Sequence, residues 1–420
     1  MRNLIAILMC IAASNAAAQA VAGRWEGVMH RGVSSLPFII GVADSTRGTF
    51  TAGDIGAMDV PLTNLRLSPG IHWELVGDQS TTTFDGTLLG DSISGSFSEP
   101  GHPGTFWLHR TSSSVEPSYT TTEVRFGDGD ALLGGSVLSP KSPGRHAAVV
   151  FLQGSGAEGR WANAFTADYL ARNEIVVLIY DKRGVGVSTG DWKTSTMEDL
   201  AADGRAGVEL LARRSDVDPR RIGIFGHSQG GFIAPMVASN RNVAWIIDAD
   251  GNVGPLYEQD LFRVNTMLAK MFRGDTLRRA KTLYHEFVDV ARNHLAHAQL
   301  RADLAGYNNP DVTDALGIPD DSSWVWSWYG KVGNDDNRAA WASVRVPVLL
   351  LYGGRDEVVP QQTSIDTIRR ILVEHGNRAV TVRVLAGADH TLRLPPADAD
   401  GWPRYAPGYP DLVRAWIERR

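Results

Sequence analysis

A serine enclosed by two glycines is the first group in the sequence with the chemistry of a nucleophile. Gly226 and Gly230 enclose His-Ser-Gln, which fits the pattern G-x-S-x-G. About 0.3 such matches are expected by chance in a chain this rich in glycine and serine, and residues 186–190 fit the pattern too. A reactive serine requires a strand that turns directly into a helix. Only Ser228 lies between such runs, so it is the predicted nucleophile and Ser188 a loop serine.

A serine hydroxyl needs a histidine to take its proton and a carboxylate to orient that histidine. His390 follows the last strand pattern, at 380–385, and therefore lies at the carboxyl edge of the predicted sheet, where open α/β sheets bind ligands. Asp356 follows the strand pattern at 346–352 at the same edge and is the predicted acid. The alternative acids are Asp248, Asp250, Glu357 and Asp389.

A tetrahedral intermediate also needs two backbone N–H groups that face its negative oxygen. The residue after the nucleophile, Gln229, supplies the first donor. The second is expected from the glycine-rich run 153–156, where Gly154 allows a close approach of the backbone. We predict the amide of Ser155 as this donor.

Composition limits the partners. Lys and Arg number 41 against 47 Asp and Glu, a net charge of −6 without a basic cluster, which argues against nucleic acid and anionic membranes and favours a small molecule. His294 and His297 are three residues apart, but no H-E-x-x-H motif accompanies them. We therefore predict no metal and no cofactor. The sequence indicates nothing about oligomeric state.

The first twenty residues have the pattern of a secretory signal peptide. Arg2 precedes the apolar run 4–13, and Ala-Gln-Ala at 18–20 fits a cleavage site. The single cysteine, Cys10, lies inside this segment, so the mature chain from Val21 would contain none. Export to a bacterial periplasm or the extracellular space is predicted. No other segment has the apolar length of a membrane span.

Two patterns of hydrophobicity divide the mature chain. Residues 21–111 hold short alternating runs between turn residues, which predicts a small antiparallel β barrel or sandwich with Trp25, Trp73 and Trp107 in its core. The polar run 112–118 is the predicted linker. In 119–420, continuous apolar runs alternate with helical patterns, which predicts an α/β domain with a mostly parallel sheet.

One interval of the second domain, about 252–341, has helical patterns and no convincing strand. It is predicted to be a helical insertion that forms a lid over the carboxyl edge of the sheet. Trp324, Trp326 and Trp328 lie near its end, and they are expected either to line an acyl pocket or to anchor the lid.

Five motifs in order resemble the α/β-hydrolase superfamily, most closely its bacterial serine-aminopeptidase-like and EstD-like esterase branch. They are Gln-Gly-Ser-Gly at 153–156, Tyr-Asp-Lys-Arg-Gly-Val-Gly-Val-Ser at 180–188, Gly-His-Ser-Gln-Gly-Gly at 226–231, Gly-Gly-Arg-Asp at 353–356 and Gly-Ala-Asp-His at 387–390. The resemblance covers about 121–420. It implies an eight-stranded sheet and a triad of Ser228, Asp356 and His390.

The resemblance also implies that the segment with Asp181 and Arg183 is a structural signature beside the site. One departure is Gln153, where many relatives carry histidine, and it leaves open how the following loop is braced. The first domain resembles the lipocalin-like β modules that precede some secreted hydrolases.

The expected activity is hydrolysis of carboxylic esters through an acyl-enzyme. One alternative is a serine aminopeptidase or amidase on small peptides, with Glu258, Asp260 or Glu286 of the insertion holding the substrate ammonium. Another is an inert protein that binds a lipid or sugar.

Overall fold

The computed structural model describes residues 20–420 apart from 78–79, 113–115, 128, 240–242 and 308. The predicted signal peptide lies outside the described residues except for Ala20, as do three residues of the predicted linker. Contacts divide the chain into two compact units. The first comprises residues up to 118 with 161–169 and 394–405, and the second comprises 119–160, 170–393 and 406–420. The predicted domain boundaries and export stay predictions.

The first unit is built on one antiparallel sheet of nine strands in the order β4-β3-β2-β1-β9-β8-β7-β6-β5. Its strands alternate buried and exposed side chains, and the buried set forms one apolar core on a barrel-like sheet. The predicted β barrel is thereby confirmed. The strands are β1 (Gly23–Arg31), β2 (Ser34–Val42), β3 (Gly48–Ala52), β4 (Ala57–Pro61), β5 (Thr63–Arg66), β6 (Ile71–Val76), β7 (Thr81–Leu89), β8 (Ser92–Glu99) and β9 (His102–Thr111).

Two of the three tryptophans predicted for this core are in it. Trp25 and Trp73 are fully buried, but Trp107 is 46% exposed, so its prediction was wrong. Strand β9 points Phe106 and Leu108 inward, and the two-residue period of a strand then turns Trp107 outward.

The second unit contains a sheet of eight strands in the order β10-β11-β13-β12-β14-β15-β16-β17. The first two strands form an antiparallel hairpin, and β11 of this hairpin pairs antiparallel with β13. The other pairs of the sheet are parallel. The predicted mostly parallel, eight-stranded sheet is confirmed. The strands are β10 (Tyr119–Phe126), β11 (Leu133–Pro140), β12 (His146–Leu152), β13 (Ile175–Tyr180), β14 (Val217–His227), β15 (Trp245–Ala249), β16 (Val348–Gly353) and β17 (Val380–Leu385). Two short strands, β18 (Arg393–Leu394) and β19 (Arg404–Tyr405), pair with each other.

Helices connect the parallel strands, and the apolar stripes of three of them are buried together with the sheet residues in one core. Leu200, Val208 and Leu211 form one such stripe, and Ile365, Ile368 and Leu372 form another. The connecting helices are α1 (Ala164–Arg172), α2 (Met197–Ala212) and α3 (Gln229–Ala238), followed after the insertion by α10 (Gln361–Glu374). A further helix, α11 (Tyr409–Ile417), follows the strands.

The predicted helical insertion follows β15, the sixth strand of this sheet along the chain, and precedes β16. It has an apolar core of its own, separate from the core of the sheet. Its helices are α4 (Leu256–Met271), α5 (Gly274–Arg292), α6 (Ala298–Tyr307), α7 (Pro310–Leu316), α8 (Trp324–Val332) and α9 (Arg338–Ser343). None of the helices in the described part of the chain has the length and hydrophobicity needed to cross a bilayer.

Candidate active site

Ser228 lies on the sharp turn between β14 and α3. Its φ of 55° and ψ of −115° are strained for a residue with a side chain. Only glycine fits at the positions two residues before and two residues after Ser228. A Cβ on Gly226 would lie 2.2 Å from the carbonyl oxygen of Gly230, and a Cβ on Gly230 would lie 2.3 Å from the carbonyl oxygen of Leu152. This strand, turn and helix have the form of a nucleophile elbow.

The predicted histidine and acid meet Ser228. Ser228 Oγ lies 2.9 Å from His390 Nε2, and His390 Nδ1 donates to Asp356 Oδ2 at 2.8 Å. The Asp356 carboxylate is buried, and its Oδ1 accepts from the amides of Val358 at 2.7 Å and Val359 at 2.9 Å. The acid is therefore fixed in the orientation that the histidine requires, which is the arrangement of a Ser-His-Asp triad.

The rival residues near the site are engaged elsewhere. Ser188 is buried, its Oγ donates to the carbonyl of Asp181 at 2.7 Å, and it accepts from an amide at 2.9 Å. Glu357 is half-exposed and pairs with Lys270. Asp389 accepts from the amide of Thr391 at 2.8 Å and so stabilises its own loop. Among the described residues, the hydrogen bonds from Ser228 to His390 and from His390 to Asp356 include none of these three rivals.

A second buried carboxylate stands beside Asp356. Asp250 follows β15 and is fully buried, and its Oδ1 accepts from the amide of Gly353 at 2.8 Å. Burial and the neighbouring charge of Asp356 raise the pKa of Asp250 well above its usual range. Asp250 is therefore harder to ionise than an ordinary aspartate. The sequence indicated it only as a distant alternative acid, because the closeness of two strand ends depends on the strand order.

One group of three side chains in the described part of the chain could bring metal ligands together. Asp250, Asp356 and His390 each offer one ligand atom, and these atoms lie within 4.8 Å of one another. Both ring nitrogens of His390 are already used, one by Asp356 and one by Ser228. This geometry suits proton transfer, so we assign the group to the triad.

The loop of the predicted oxyanion donor is braced from several sides. Gln153 Nε2 donates to the carbonyl of Tyr180. This hydrogen bond is how glutamine braces the loop at a position where many relatives carry histidine. The amide of Gly154 donates to Glu158 Oε2 at 2.7 Å. Ser155 itself is exposed, whereas Gln229 is buried at the first turn of α3, where helical amides have no partner within the helix.

Lys182 is the residue that the sequence analysis missed here. Its buried Nζ donates to the carbonyl of Gly154, to that of Gly156 at 3.1 Å and to Gln229 Oε1 at 2.9 Å. The signal was present, since Lys182 lies between Asp181 and Arg183 of a motif already singled out.

Asp181 and Arg183 stabilise the segment that carries Lys182. Asp181 Oδ1 accepts from the amide of Arg160 at 3.0 Å. The buried Arg183 guanidinium forms a two-pronged pair with Asp203, at 2.7 and 2.9 Å. Neither contact reaches Ser228, so the structure gives both residues a structural position.

His227 holds the backbone of the catalytic histidine through a hydrogen bond. Its Nε2 donates to the carbonyl of His390 at 2.8 Å. Burial lowers the pKa of His227 to about 4, so the ring is neutral at pH 7. Asp248 differs: burial raises its pKa to about 7, while Tyr352 Oη lies 2.8 Å from its Oδ2.

These two groups are expected to give opposite pH dependences of stability. Between its ordinary pKa of 3.8 and about 7, Asp248 holds a proton in the folded state that the unfolded chain releases, so the free energy of unfolding falls as pH rises. Between about 4 and its ordinary 6.5, His227 stays neutral while the unfolded chain binds a proton, so the free energy of unfolding falls as pH falls.

Denaturant unfolding of Asp248→Asn and His227→Gln at pH 4.5, 5.5, 6.5 and 7.5 tests this prediction. Relative to the unaltered protein, Asp248→Asn should gain about 2 to 3 kcal/mol of stability from pH 4.5 to 7.5, and His227→Gln should lose a similar amount. Parallel curves for all three proteins would contradict the assigned protonation states.

The three tryptophans near the end of the insertion lie in different surroundings. Trp326 is buried in the core of the insertion, where it stacks on His297 at 3.8 Å and its Nε1 donates to the carbonyl of Asp320 at 2.9 Å. Trp328 packs against the core of the insertion and that of the sheet. Trp324 is 38% exposed. The predicted substrate pocket stays a prediction.

Comparison with known proteins gives partial relatives. An uncharacterised protein of Mycobacterium tuberculosis is 36% identical over 137 residues, 33% of this chain and 47% of the relative. The uncharacterised protein YfhR of Escherichia coli is 29% identical over 115 residues, 27% of this chain and 39% of the relative. The chain thus spans less than half the length of these curated relatives.

Among solved structures, an esterase from Pyrococcus furiosus is similar over 74% of this chain and 93% of its own, with 18% identity and a TM-score of 0.46. A hypothetical protein from Pseudomonas aeruginosa is similar over 73% and 95%, with 14% identity and a TM-score of 0.48.

The family assignment comes from a model of the serine aminopeptidase S33 family, which matches residues 143–394, more than half of the chain. The match spans Ser228, Asp356 and His390. The resemblance predicted from five motifs is confirmed. The chain belongs to the serine aminopeptidase S33 family of the α/β-hydrolase superfamily.

Proposed function

We propose that this protein is a serine hydrolase that cleaves carboxylic esters through an acyl-enzyme. The observation that carries the proposal is the continuous set of hydrogen bonds from Ser228 through His390 to Asp356, at 2.9 and 2.8 Å, which starts at a strained elbow. A serine hydroxyl in this setting has a base within reach and an acid that fixes the base.

The first half of the reaction forms the acyl-enzyme. Ser228 Oγ attacks the ester carbonyl carbon while its proton passes to His390 Nε2, and Asp356 stabilises the resulting imidazolium. The carbonyl oxygen becomes negative and faces the amides of Gln229 and Ser155. When the intermediate collapses, the C–O bond to the alcohol breaks, and His390 returns the proton to the leaving oxygen.

The second half regenerates the enzyme. Water gives a proton to His390 Nε2 and attacks the acyl carbon, and the bond from that carbon to Ser228 Oγ breaks as Oγ regains a proton. The carboxylic acid then leaves. These steps use side chains of the described chain and water.

The peptidase alternative draws support from the name of the family, which is that of aminopeptidases. Such an activity needs a free carboxylate for the substrate ammonium. Asp260, one of the residues predicted for this role, accepts from Arg263 Nε at 3.0 Å and from Tyr284 Oη at 2.7 Å, and Tyr329 Oη is also hydrogen-bonded to it. Its carboxylate is committed within the insertion, which removes one of the three predicted carboxylates from this role and leaves Glu258 and Glu286.

The binding-protein alternative required a ligand space in the β unit. The described part of that unit has an open pocket of about 690 Å³, lined by residues such as Arg66, His72 and Asp85. The interior of the sheet is filled by aromatic rings: Trp73 stacks on Phe84 at 4.8 Å, and Phe106 meets Trp73 edge-on at 5.2 Å. Rings packed this closely support a structural interior.

A substrate panel tests the proposal. The purified protein is assayed with p-nitrophenyl esters of two to twelve acyl carbons and with aminoacyl p-nitroanilides, beside Ser228→Ala as the matched blank. Ser228-dependent turnover of esters with a kcat/KM at least about 100-fold above that of the anilides is expected. Faster turnover of the anilides would replace the esterase proposal with the aminopeptidase.

The insertion offers a further prediction about acyl selectivity. Trp324 is the most exposed of the three rings, so Trp324→Ala is expected to change the ratio of kcat/KM between long and short esters by about 5-fold or more. Trp326→Ala should instead lower the free energy of unfolding by about 3 kcal/mol or more and leave that ratio unchanged, because its ring is core. Ester panels with thermal melts separate the two effects. An unchanged ratio for Trp324→Ala would remove this ring from the pocket.

A further inference from the structure

The side chain of Lys182 is placed where a buried charge would act on catalysis. It follows β13 and is 3% exposed, and its Nζ donates to the carbonyls of Gly154 and Gly156 and to Gln229 Oε1. The acceptors belong to the two segments expected to hold the oxyanion.

Peptide geometry connects this contact to the predicted donor. The carbonyl of Gly154 and the amide of Ser155 belong to one planar, trans peptide group, so their C=O and N–H bonds point in opposite directions. Holding the Gly154 oxygen toward Lys182 therefore aims the Ser155 N–H away from Lys182. The bond to Gly156 also holds the peptide group that joins Gly156 to Ala157, so the backbone is fixed at the peptide group before Ser155 and again one peptide group beyond it.

The charge of Lys182 adds to this orientation. A cation on a carbonyl oxygen polarises the peptide group and strengthens its N–H as a donor, and charge-assisted bonds in a buried setting are the stronger kind. Donors fixed before the reaction need no reorganisation when the negative oxygen forms. The third bond, at 2.9 Å to the side chain of Gln229, holds the residue that provides the other donor.

We propose that Lys182 is a positioning residue that orients and polarises the Ser155 amide and fixes Gln229, so that both donors face the oxyanion before it forms. This rests on the proposed acyl-transfer function of Ser228. Lys182 acts through the peptide group and does not touch the substrate.

Three variants of the full chain test the proposal. Lys182→Arg keeps the charge, Lys182→Gln keeps a donor without charge, and Lys182→Met keeps only the length. Lys331→Met is the matched control, since Lys331 also donates to a backbone carbonyl, that of Thr194 at 3.0 Å, but lies on α8 of the insertion. Circular dichroism and melting temperature report folding for each variant.

Two kinetic readouts separate orientation of the donor from general stability. The first is kcat and KM on p-nitrophenyl acetate, and the second is the rate constant for labelling of Ser228 by a fluorophosphonate, which also forms a negative oxygen at that position. Lys182→Met is expected to lower kcat and the labelling rate by about 100-fold each with KM nearly unchanged. Arg, Gln and Met should fall in that order, and Lys331→Met should match the unaltered protein.

A failure of the proposed role of Lys182 can be distinguished from a failure of the proposed esterase function. Labelling needs no natural substrate. A protein that is labelled at Ser228 but cleaves no ester would contradict the esterase proposal, and its labelling rates would still measure the effect of the Lys182 variants. Equal labelling rates in folded Lys182→Met or Lys182→Gln and the unaltered protein would overturn the role of Lys182. A melting point that falls without a change in either rate would do the same, because Lys182 would then be a structural tie.

Discussion

Ser228→Ala is expected to lower kcat for ester hydrolysis by at least about 10⁴-fold, to the level left by binding and the oxyanion donors. The hydroxyl that His390 contacts at 2.9 Å is the atom that forms the acyl bond, and alanine removes it without disturbing the elbow. Initial rates on p-nitrophenyl acetate measure the loss.

Ser188→Ala is the matched control. It removes a buried hydroxyl that holds a loop through two hydrogen bonds, so its melting temperature should fall while kcat for each folded molecule stays within about 3-fold. A folded Ser188→Ala protein that has lost its activity, beside an active Ser228→Ala protein, would reverse the assignment of the nucleophile.

Asp356→Asn is expected to lower kcat by about 10³- to 10⁴-fold, by analogy with the corresponding change in a serine protease. The asparagine oxygen is held by the amides of Val358 and Val359, so its NH₂ group faces His390 Nδ1 and donates to it. His390 then presents the wrong tautomer to Ser228, and no negative charge stabilises the imidazolium. KM should change little.

Glu357→Gln provides the control for this change. Glu357 is adjacent in sequence, half-exposed and paired with Lys270, so its loss should leave kcat within about 2-fold. Near-normal turnover by Asp356→Asn would move the acid to Asp250, the carboxylate beside it, and the double variant would then show the large loss.

The elbow could be predicted from sequence because it is local. A strand, a glycine on each side of the serine and a helix start lie within a dozen residues, so the pattern itself specifies the strained turn. Asp356 and His390 are distant in sequence, but each follows a strand, and the carboxyl ends of parallel strands meet at one edge. The order of strands along the chain therefore predicts that Asp356 and His390 lie near Ser228.

The contacts of Lys182 and Asp250 could not be predicted in this way. Each depends on which strands are neighbours and on how far a side chain reaches across two loops, and neither is encoded in a short pattern. The prediction for Trp107 was wrong for a smaller reason: Phe106 and Leu108 share one face of the strand, and the two-residue period places Trp107 on the other.

The separate core of the insertion has an evolutionary consequence. Its apolar side chains are buried mainly among themselves, between two strands, β15 and β16, that pair directly with each other. Substitutions, and even exchange of whole helices, can therefore accumulate there at little energetic cost to the strand ends that carry Asp356 and Asp250. Under the proposed esterase function, directed evolution of acyl selectivity is therefore best confined to 257–329, because Val332 and Trp341 further along the insertion are buried with the sheet.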